Sequence, residues 1–406
     1  MNSPTSRRSF LEGIGLGSIG ILAAGGMPNA AMAQTPAPDA KTLGESGVKS
    51  ADRSKKVWQP VSDRKVRVGI VGYGVCQFGA AFGFQDHPNV TVAAVSDLFP
   101  DRCDALAKAC RCEKKYPSLE EMVKDDTLEA IFLATDAPSH ARHAMEVLKH
   151  GKHVASAVPA VYGSLDDASV LLETVKSTGK KYMMFETSAF HEDCYAMRQI
   201  YRTGGFGKLI YSEGEYFHHS NEPIGSYNGW RIGPPPLWYP THSTAYYVSV
   251  TDGSFTEVSC MGMPSLLKFL QPGANRYNNA FGTEIAMLRT SEGGMSRMLM
   301  SYDAQEPGGE MGRVRGQRGT MWNGPYRGEE KNLPDISVPP LPPSVAPGGH
   351  GGSHGQLMNE FVTAILEDRK PMIDIVHALN LTVCGVVAHQ SALKNGELMK
   401  IPQFTM

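Results

Sequence analysis

Val66-Arg-Val-Gly-Ile-Val-Gly-Tyr-Gly-Val-Cys-Gln-Phe-Gly79 carries the clearest structural signal in the chain. Its first half is a short β-branched run suited to a buried parallel strand. The run breaks at Gly72 and Gly74, where the chain must turn sharply, and Ala80-Ala-Phe-Gly-Phe is placed to open a helix. A strand, a glycine turn and a helix N-terminus together form an anion site: the backbone approaches closely, and free N–H groups with the positive end of the helix dipole face the ligand. The spacing is Gly72-x-Gly74-x-x-Gln77, with Gly79 two residues beyond the place of a third glycine. A second apolar run, Val90-Thr-Val-Ala-Ala-Val-Ser, ends at Asp97, about where a carboxylate would hold a ribose. Strand, glycines, helix, strand and acid in that order predict a dinucleotide site.

Downstream, short apolar runs alternate with helical patterns as far as about Thr187, the mark of an α/β doubly wound parallel sheet. Helices are expected from Pro100 to Cys110, from Ser118 (with Glu121 at capping-box spacing), from Ala141 to His150 and near Leu165–Ser177. Strands are expected at Glu129–Thr135, Lys152–Ser156 and Lys181–Glu186. Ligands bind at the carboxyl ends of such strands, which singles out Thr135, His140, Ala157, Pro159 and Glu186. After a helix near Glu192–Arg202 the character changes. Strand-like runs at Lys208–Phe217, Phe255–Met261, Glu284–Thr290 and Gly294–Tyr302 follow without regular helices between them. They predict an α+β domain with a mostly antiparallel sheet. The Pro- and Gly-rich residues 327–353 are expected on the surface, and helices near His354–Leu366 and Asp374–Lys394 close the chain.

The 406 residues suffice for two domains, and a net charge of −2 gives no global field to draw nucleic acid or an anionic membrane. The seven cysteines are irregularly spaced and read as free thiols; Cys110-Arg-Cys112 is too close for a zinc pair. No metal is expected: His218-His219, His350 and His354 read as polar histidines of substrate loops. Ser6-Arg-Arg-Ser-Phe-Leu11, an apolar Ile14–Met27 segment and Ala31-Met-Ala33 match a twin-arginine export signal. The segment is too short and glycine-broken for a stable membrane anchor. The expected division is therefore signal 1–33, linker 34–62, nucleotide domain 63–187 and substrate domain 188–406, with the mature chain in the periplasm or otherwise extracytoplasmic.

Gly-Ile-Val-Gly-Tyr-Gly74, Ala-Val-Ser-Asp97, Ala-Ile-Phe-Leu-Ala-Thr-Asp-Ala-Pro-Ser-His140 and Gly-Lys-His-Val154 together resemble the glucose–fructose oxidoreductase / inositol dehydrogenase / MocA (Gfo/Idh/MocA) family. Phe206-Gly-Lys-Leu, Pro240-Thr-His242 and the ending Phe361 to Pro371 fall in the family's order. The resemblance implies an N-terminal Rossmann domain holding NAD or NADP, a C-terminal sheet domain holding a sugar or polyol, and a homo-oligomer. It places Gly72, Gly74 and Gly79 at the pyrophosphate, Asp97 at the adenosine ribose, Thr135 and His140 along the cofactor, and Pro159 and Glu186 near the nicotinamide. An acid at Asp97 favours NAD over NADP by charge, although Arg102 lies close.

Two members of the family's catalytic set are replaced. The Glu-Lys-Pro turn reads Ala157-Val158-Pro159, and the Asp of Asp-x-x-x-His is Trp238, so that only His242 is kept for proton transfer. Lys152 to Ala160, Met183-Met-Phe-Glu186, Trp230-Arg231 and Tyr239-Pro-Thr-His242 resemble more closely the NAD-dependent α-N-acetylgalactosaminidase-type branch. That branch oxidises a sugar transiently and returns the hydride. Its tyrosine base falls at Phe190 here, which leaves His191 or Tyr195 as substitutes. Trp230, Arg231, Trp238, Tyr239 and His219 are the expected substrate contacts, aromatic faces with polar tips that suit a sugar. The expectation is an NAD-dependent oxidoreductase acting on a carbohydrate. The alternatives are a redox-neutral glycosidase or lyase and a binding protein that has lost turnover.

Overall fold

The β-branched run at Val66–Val71 (β1) is buried at five of its six positions, as a strand covered on both faces must be. It lies at the centre of the first sheet in a computed structural model that describes residues 56–305, 309–322 and 324–406. In chain order the first half comprises β1, α1 (Phe78–Ala81), β2 (Val90–Ser96), α2 (Pro100–Ala109), β3 (Lys115–Tyr116), α3 (Leu119–Met122), β4 (Ala130–Leu133), α4 (His140–Lys149), β5 (His153–Ser156), α5 (Leu165–Thr178) and β6 (Tyr182–Met184). The strands pair in the order β3-β2-β1-β4-β5-β6, all parallel. This is the doubly wound order that reverses between β1 and β4 and opens a crevice there. Capping fixes the helix starts: Ser118 accepts from the N–H of Glu121 and Ser164 from that of Asp167. The helix expected after the glycine turn is only the single turn of α1, because Gln77 before it and Gly83 after it are left-handed. So short a helix sums little dipole, and the anion site rests on the turn itself.

The second half comprises α6 (Glu192–Arg202), β7 (Leu209–Phe217), α7 (Thr241–Thr251), β8 (Phe255–Pro264), β9 (Phe281–Thr290), β10 (Met295–Ser301), β11 (Glu310–Gly316), β12 (Gly319–Trp322), β13 (Arg327–Gly328), α8 (Ser353–Leu366), α9 (Ile375–Ala392) and β14 (Met399–Lys400). Eight strands pair in the order β13-β12-β11-β7-β10-β9-β8-β14. Only the β7–β10 pair is parallel, so the sheet is mostly antiparallel. Helix α7 lies against one face of this sheet with all residues from Thr241 to Val250 buried, and Gly214 of β7 meets the backbone of Ser243, where a Cβ would collide. On the other face Met261, Ile285, Met287 and Met295 are exposed.

The closing helices return to the first sheet: Phe361 of α8 meets Phe185 edge-on, Phe82 stacks on His354, and Met184 of β6 donates to the carbonyl of Ile373. One core thus runs beneath both sheets. All seven cysteines are free, and burial raises the Cys110 thiol to about 12, as inert core thiols require. Among the described residues no helix is long and apolar enough to cross a membrane. The expected export signal and the linker up to residue 55 lie outside the described residues; at the linker's end Lys56 pairs with Asp335 and Trp58 meets His87 edge-on.

Candidate active site

Gly72 has φ 93° and sits so close to the carbonyl of Ala134 that a Cβ would collide with it. The turn after β1 is thereby pressed against the end of β4, where the sheet order reverses. Gly79 performs the close-packing task of the missing third glycine, since a Cβ there would strike the carbonyl of Gly72 and the side chain of Leu106. Gly79→Val is expected to destabilise the protein by about 1–3 kcal/mol through overpacking and to weaken nucleotide binding, read by chemical unfolding and by NAD titration. Gly74 faces open space, and with Gly72 it lines a cleft whose far wall is Asp97, Leu98, Phe99 and Arg102.

Asp97 leaves the end of β2 and binds the turn back: its Oδ2 accepts from the N–H of Tyr73 (2.8 Å) and its Oδ1 from that of Phe99 (3.0 Å). Both oxygens keep lone pairs for ribose hydroxyls. Arg102 instead lays its guanidinium over the Phe99 ring, 4.5 Å from the centroid. Asp97→Ala is expected to lower NAD affinity on the order of 10- to 100-fold, the worth of a charged hydrogen bond, as measured by calorimetry.

Thr135 lines this cleft and the one beside it. Arg142 donates to Nε2 of His143 (2.7 Å), so His143 presents an Nδ1–H to the Thr135 hydroxyl (3.0 Å), which keeps its own proton to donate. Burial and the neighbouring Arg142 lower His143 to about 4, which keeps it neutral. Sequence reading missed His143, one helical turn beyond His140.

His140 is buried, with Nδ1 2.9 Å from the carbonyl of Pro159 and Nε2 3.2 Å from that of Thr135. It ties two loops together and lines the cleft beside them. Pro159 itself is buried after a cis peptide; Ala157 and Val158 of that turn are the ones that line the cleft.

The second cleft is walled by Ala134, Thr135, Ala157 and Val158 from the first sheet, and by Tyr216, His218, Trp230, Arg231, Tyr239, His242, His350 and His354. Tyr216, Tyr239, Trp230 and Arg231 also line an adjoining apolar pocket with Phe269, Leu270 and Met300. Trp230 stacks near Tyr239 with ring centres 6.3 Å apart, and the Arg231 guanidinium lies 4.3 Å over Trp230. Trp230 and Arg231 border all three cavities, so the glycine-turn cleft and the aromatic pocket meet at them.

His242 stands in the first turn of the buried helix α7, not in a solvated loop. Its Nδ1 faces Glu186 Oε1 at 2.8 Å and Glu310 Oε2 at 3.7 Å, and its ring meets Tyr216 at 4.6 Å. Burial favours the neutral ring, but the two carboxylates outweigh it and raise His242 to about 9, so that it is cationic at neutral pH rather than poised near its ordinary value. With Nδ1 engaged, Nε2 is the nitrogen left for the cleft. Glu186 is wholly buried behind His242, where Oε1 also accepts from the N–H of Ser188 (2.9 Å); the cleft is not its destination, and its partner is a histidine.

Three expected contacts lie elsewhere. Tyr195 stacks on Phe190 on the outer side of α6, among the charges of Arg198, Arg202, Lys56 and Asp335. Trp238 turns into an aromatic cluster with Tyr162, Tyr277 and His389. His219 spends both ring nitrogens on Tyr302 O and Asn221, while its neighbour His218 lines the cleft. His191 is a wall of the buried cluster, with Nε2 3.3 Å from Glu310. Glu310, beside His242 and His191, is a further residue that no sequence signal marked.

Residues 66–186 match the oxidoreductase family, NAD-binding Rossmann fold (GFO_IDH_MocA). A glycosyl hydrolase family 109 protein of Bacteroides thetaiotaomicron is 29% identical over 177 residues, 41% of this chain and 38% of that protein. The match thus spans well under half of that relative's length. A second such protein, from Saccharopolyspora erythraea, is 23% identical over 100% of this chain and 95% of its own. The WlbA dehydrogenase of Bordetella pertussis, solved with NADH and UDP-GlcNAcA, superimposes with a TM-score of 0.68 at 18% identity, covering 85% of this chain and all of its own. The glycine turn, the strand order and the matched residues agree: residues 66–186 are an NAD-binding Rossmann domain of the Gfo/Idh/MocA oxidoreductase family.

Proposed function

We propose that this chain is an NAD-dependent oxidoreductase that moves a hydride between a carbon of a sugar or polyol and the nicotinamide. The observation that carries the reading is the meeting of the glycine-turn cleft with an aromatic pocket at Trp230 and Arg231, with His242 in the wall. The bound cofactor supplies the hydride chemistry. Gly72, Gly74 and Gly79 shape its cradle and Asp97 holds the ribose in preference to a 2′-phosphate. Thr135, Ala157 and Val158 border the nicotinamide end. Trp230 and Tyr239 stack on the sugar ring, and Arg231 binds its hydroxyls. His242 holds or releases the hydroxyl proton at Nε2, the task left to it by Val158 in place of the family lysine.

A redox-neutral glycosidase using the same hydride exchange is the second reading, favoured by the full-length likeness to the Saccharopolyspora protein. Incubation with NAD and a panel of free sugars and aryl glycosides separates the two. Net NADH formation supports the oxidoreductase. Glycoside cleavage with deuterium uptake from solvent at C2 and no net NADH supports the glycosidase. Binding of sugars and nucleotide without either reaction leaves a binding protein and overturns both.

The division into a nucleotide domain (63–187) and a substrate domain (188–406) belongs to this proposal, as do export by the twin-arginine route and pairing of copies across the open sheet face. Cell fractionation and sedimentation test the last two.

A further inference from the structure

We propose that Glu186, His242 and Glu310 hold one divalent transition-metal ion behind the His242 wall of the second cleft. The three come from separate elements: the loop after β6, the first turn of α7 and the first residue of β11. Their ligand atoms nevertheless all lie within 4.8 Å of one another. His242 Nδ1 is 2.8 Å from Glu186 Oε1 and 3.7 Å from Glu310 Oε2. Donors bound about 2.1 Å from a metal stand roughly 3–3.5 Å apart, so these separations bracket a coordination edge.

Two independent features ask for a cation there. The first is charge: Glu186 is 0% exposed and the Glu310 side chain 9%, and among the described residues neither pairs with a Lys or Arg. Two buried carboxylates face only imidazoles, His242 and, beside Glu310, His191; with His242 alone protonated they keep a net negative charge, a costly state in a low-dielectric interior. The second is unmet bonding capacity. Glu186 Oε2 is buried without a hydrogen-bond partner, and so is Nε2 of His191, which stands 3.3 Å from Glu310 Oε2 without the geometry of a hydrogen bond. A chelating Glu186 and an added His191 would satisfy both. Thr187 Oγ1 is also near, 3.3 Å from His242 Nδ1. Ser188 braces the set, its N–H on Glu186 and its hydroxyl on Glu310 (2.6 Å), as outer groups orient metal ligands. A mixed imidazole and carboxylate set suits Zn²⁺ or Mn²⁺ over Ca²⁺ or Mg²⁺.

Binding would displace the Nδ1 proton of His242 to solvent and leave Nε2–H as a fixed donor. That consequence rests on the hydride-exchange reading; the site itself does not.

The test is elemental analysis of the full chain purified without chelator, then calorimetric titration of the chelator-treated chain with ZnCl₂ and with MnCl₂. Glu310→Gln and His191→Gln are run beside it, with NAD affinity measured on every sample. The expected result is one ion per chain, an affinity lowered 10-fold or more in each variant, and unchanged NAD binding. No stoichiometric uptake up to millimolar metal overturns the site, as does uptake indifferent to both variants; the cluster is then balanced by protons. NAD binding lost in the wild type, with metal uptake intact, overturns the proposed function and leaves the metal site standing.

Discussion

His242→Gln is expected to lower kcat/KM about 10²- to 10⁴-fold, the usual share of a positioned proton-transfer group, while NAD affinity changes by less than about threefold in line with additivity between separate sites. The side chain lines the second cleft from α7, whereas the glycine turn and Asp97 line the first. Glutamine keeps a polar group of similar reach but cannot carry a proton between oxygen and solvent. The substitution also leaves Glu186 and Glu310 facing each other without a cation, so a stability loss of about 3–5 kcal/mol accompanies it. Unfolding curves recorded beside the kinetics distinguish the two effects. A variant that is folded and NAD-loaded at the assay temperature yet retains wild-type turnover would remove His242 from the chemistry.

The route to His242 through the sequence shows what was legible and what was not. The first sheet was readable because its strands are short β-branched runs punctuated by glycines, and Asp97 closes the second at the expected distance. Chain order then fixes the parallel topology with little freedom. Helix α7 was not readable. Thr241-His-Ser-Thr-Ala-Tyr-Tyr-Val-Ser-Val250 is rich in β-branched and aromatic residues and buried all round, so no amphipathic period marks it. Tertiary packing against the second sheet, not propensity, makes it a helix. Strands β11 and β12 follow a Gly- and Pro-rich stretch without a long apolar run, and Glu310 at the start of β11 was hidden with them.

Two of the misplaced residues share one cause. Trp238 and His219 each neighbour a cleft residue in sequence: Tyr239 follows Trp238, and His218 precedes His219. One step along the chain in irregular backbone reverses the direction of a side chain, and sequence alone carries no sign for it. Trp238 illustrates the consequence. It replaces the family aspartate yet does not occupy the catalytic place; it fills an aromatic cluster between Gly163 and His389. The carboxylates beside His242 come from elsewhere, from Glu186 and Glu310.

Glu284→Ala is expected to cost about 3–5 kcal/mol of stability, as removing the shared buried acceptor of two groups together with its side-chain volume does. Glu284 is 0% exposed in the middle of β9. Its Oε1 lies 2.6 Å from Nδ1 of His389 on α9, and its Oε2 accepts from the N–H of Leu237 at 2.8 Å. One carboxylate thus joins the second sheet to the last helix and to the turn at 236–238 that leads into α7. Alanine would leave the Leu237 N–H and the His389 ring buried without acceptors and open a cavity beneath Trp238, whose ring meets His389 edge-on. Glu284→Gln keeps an acceptor for Leu237 and the side-chain volume but gives up the charge, so its cost is expected at about 1–3 kcal/mol. NAD affinity, set in the first sheet, is expected to hold in both variants at temperatures where they are folded. Turnover is expected to fall further in Ala than in Gln, because Tyr239 and His242 follow directly from the tethered turn. Equal stability of Ala, Gln and wild type in urea unfolding would show that this carboxylate does not tether the turn, and the positioning of His242 would then have to come from Pro240 and the packing of α7 alone.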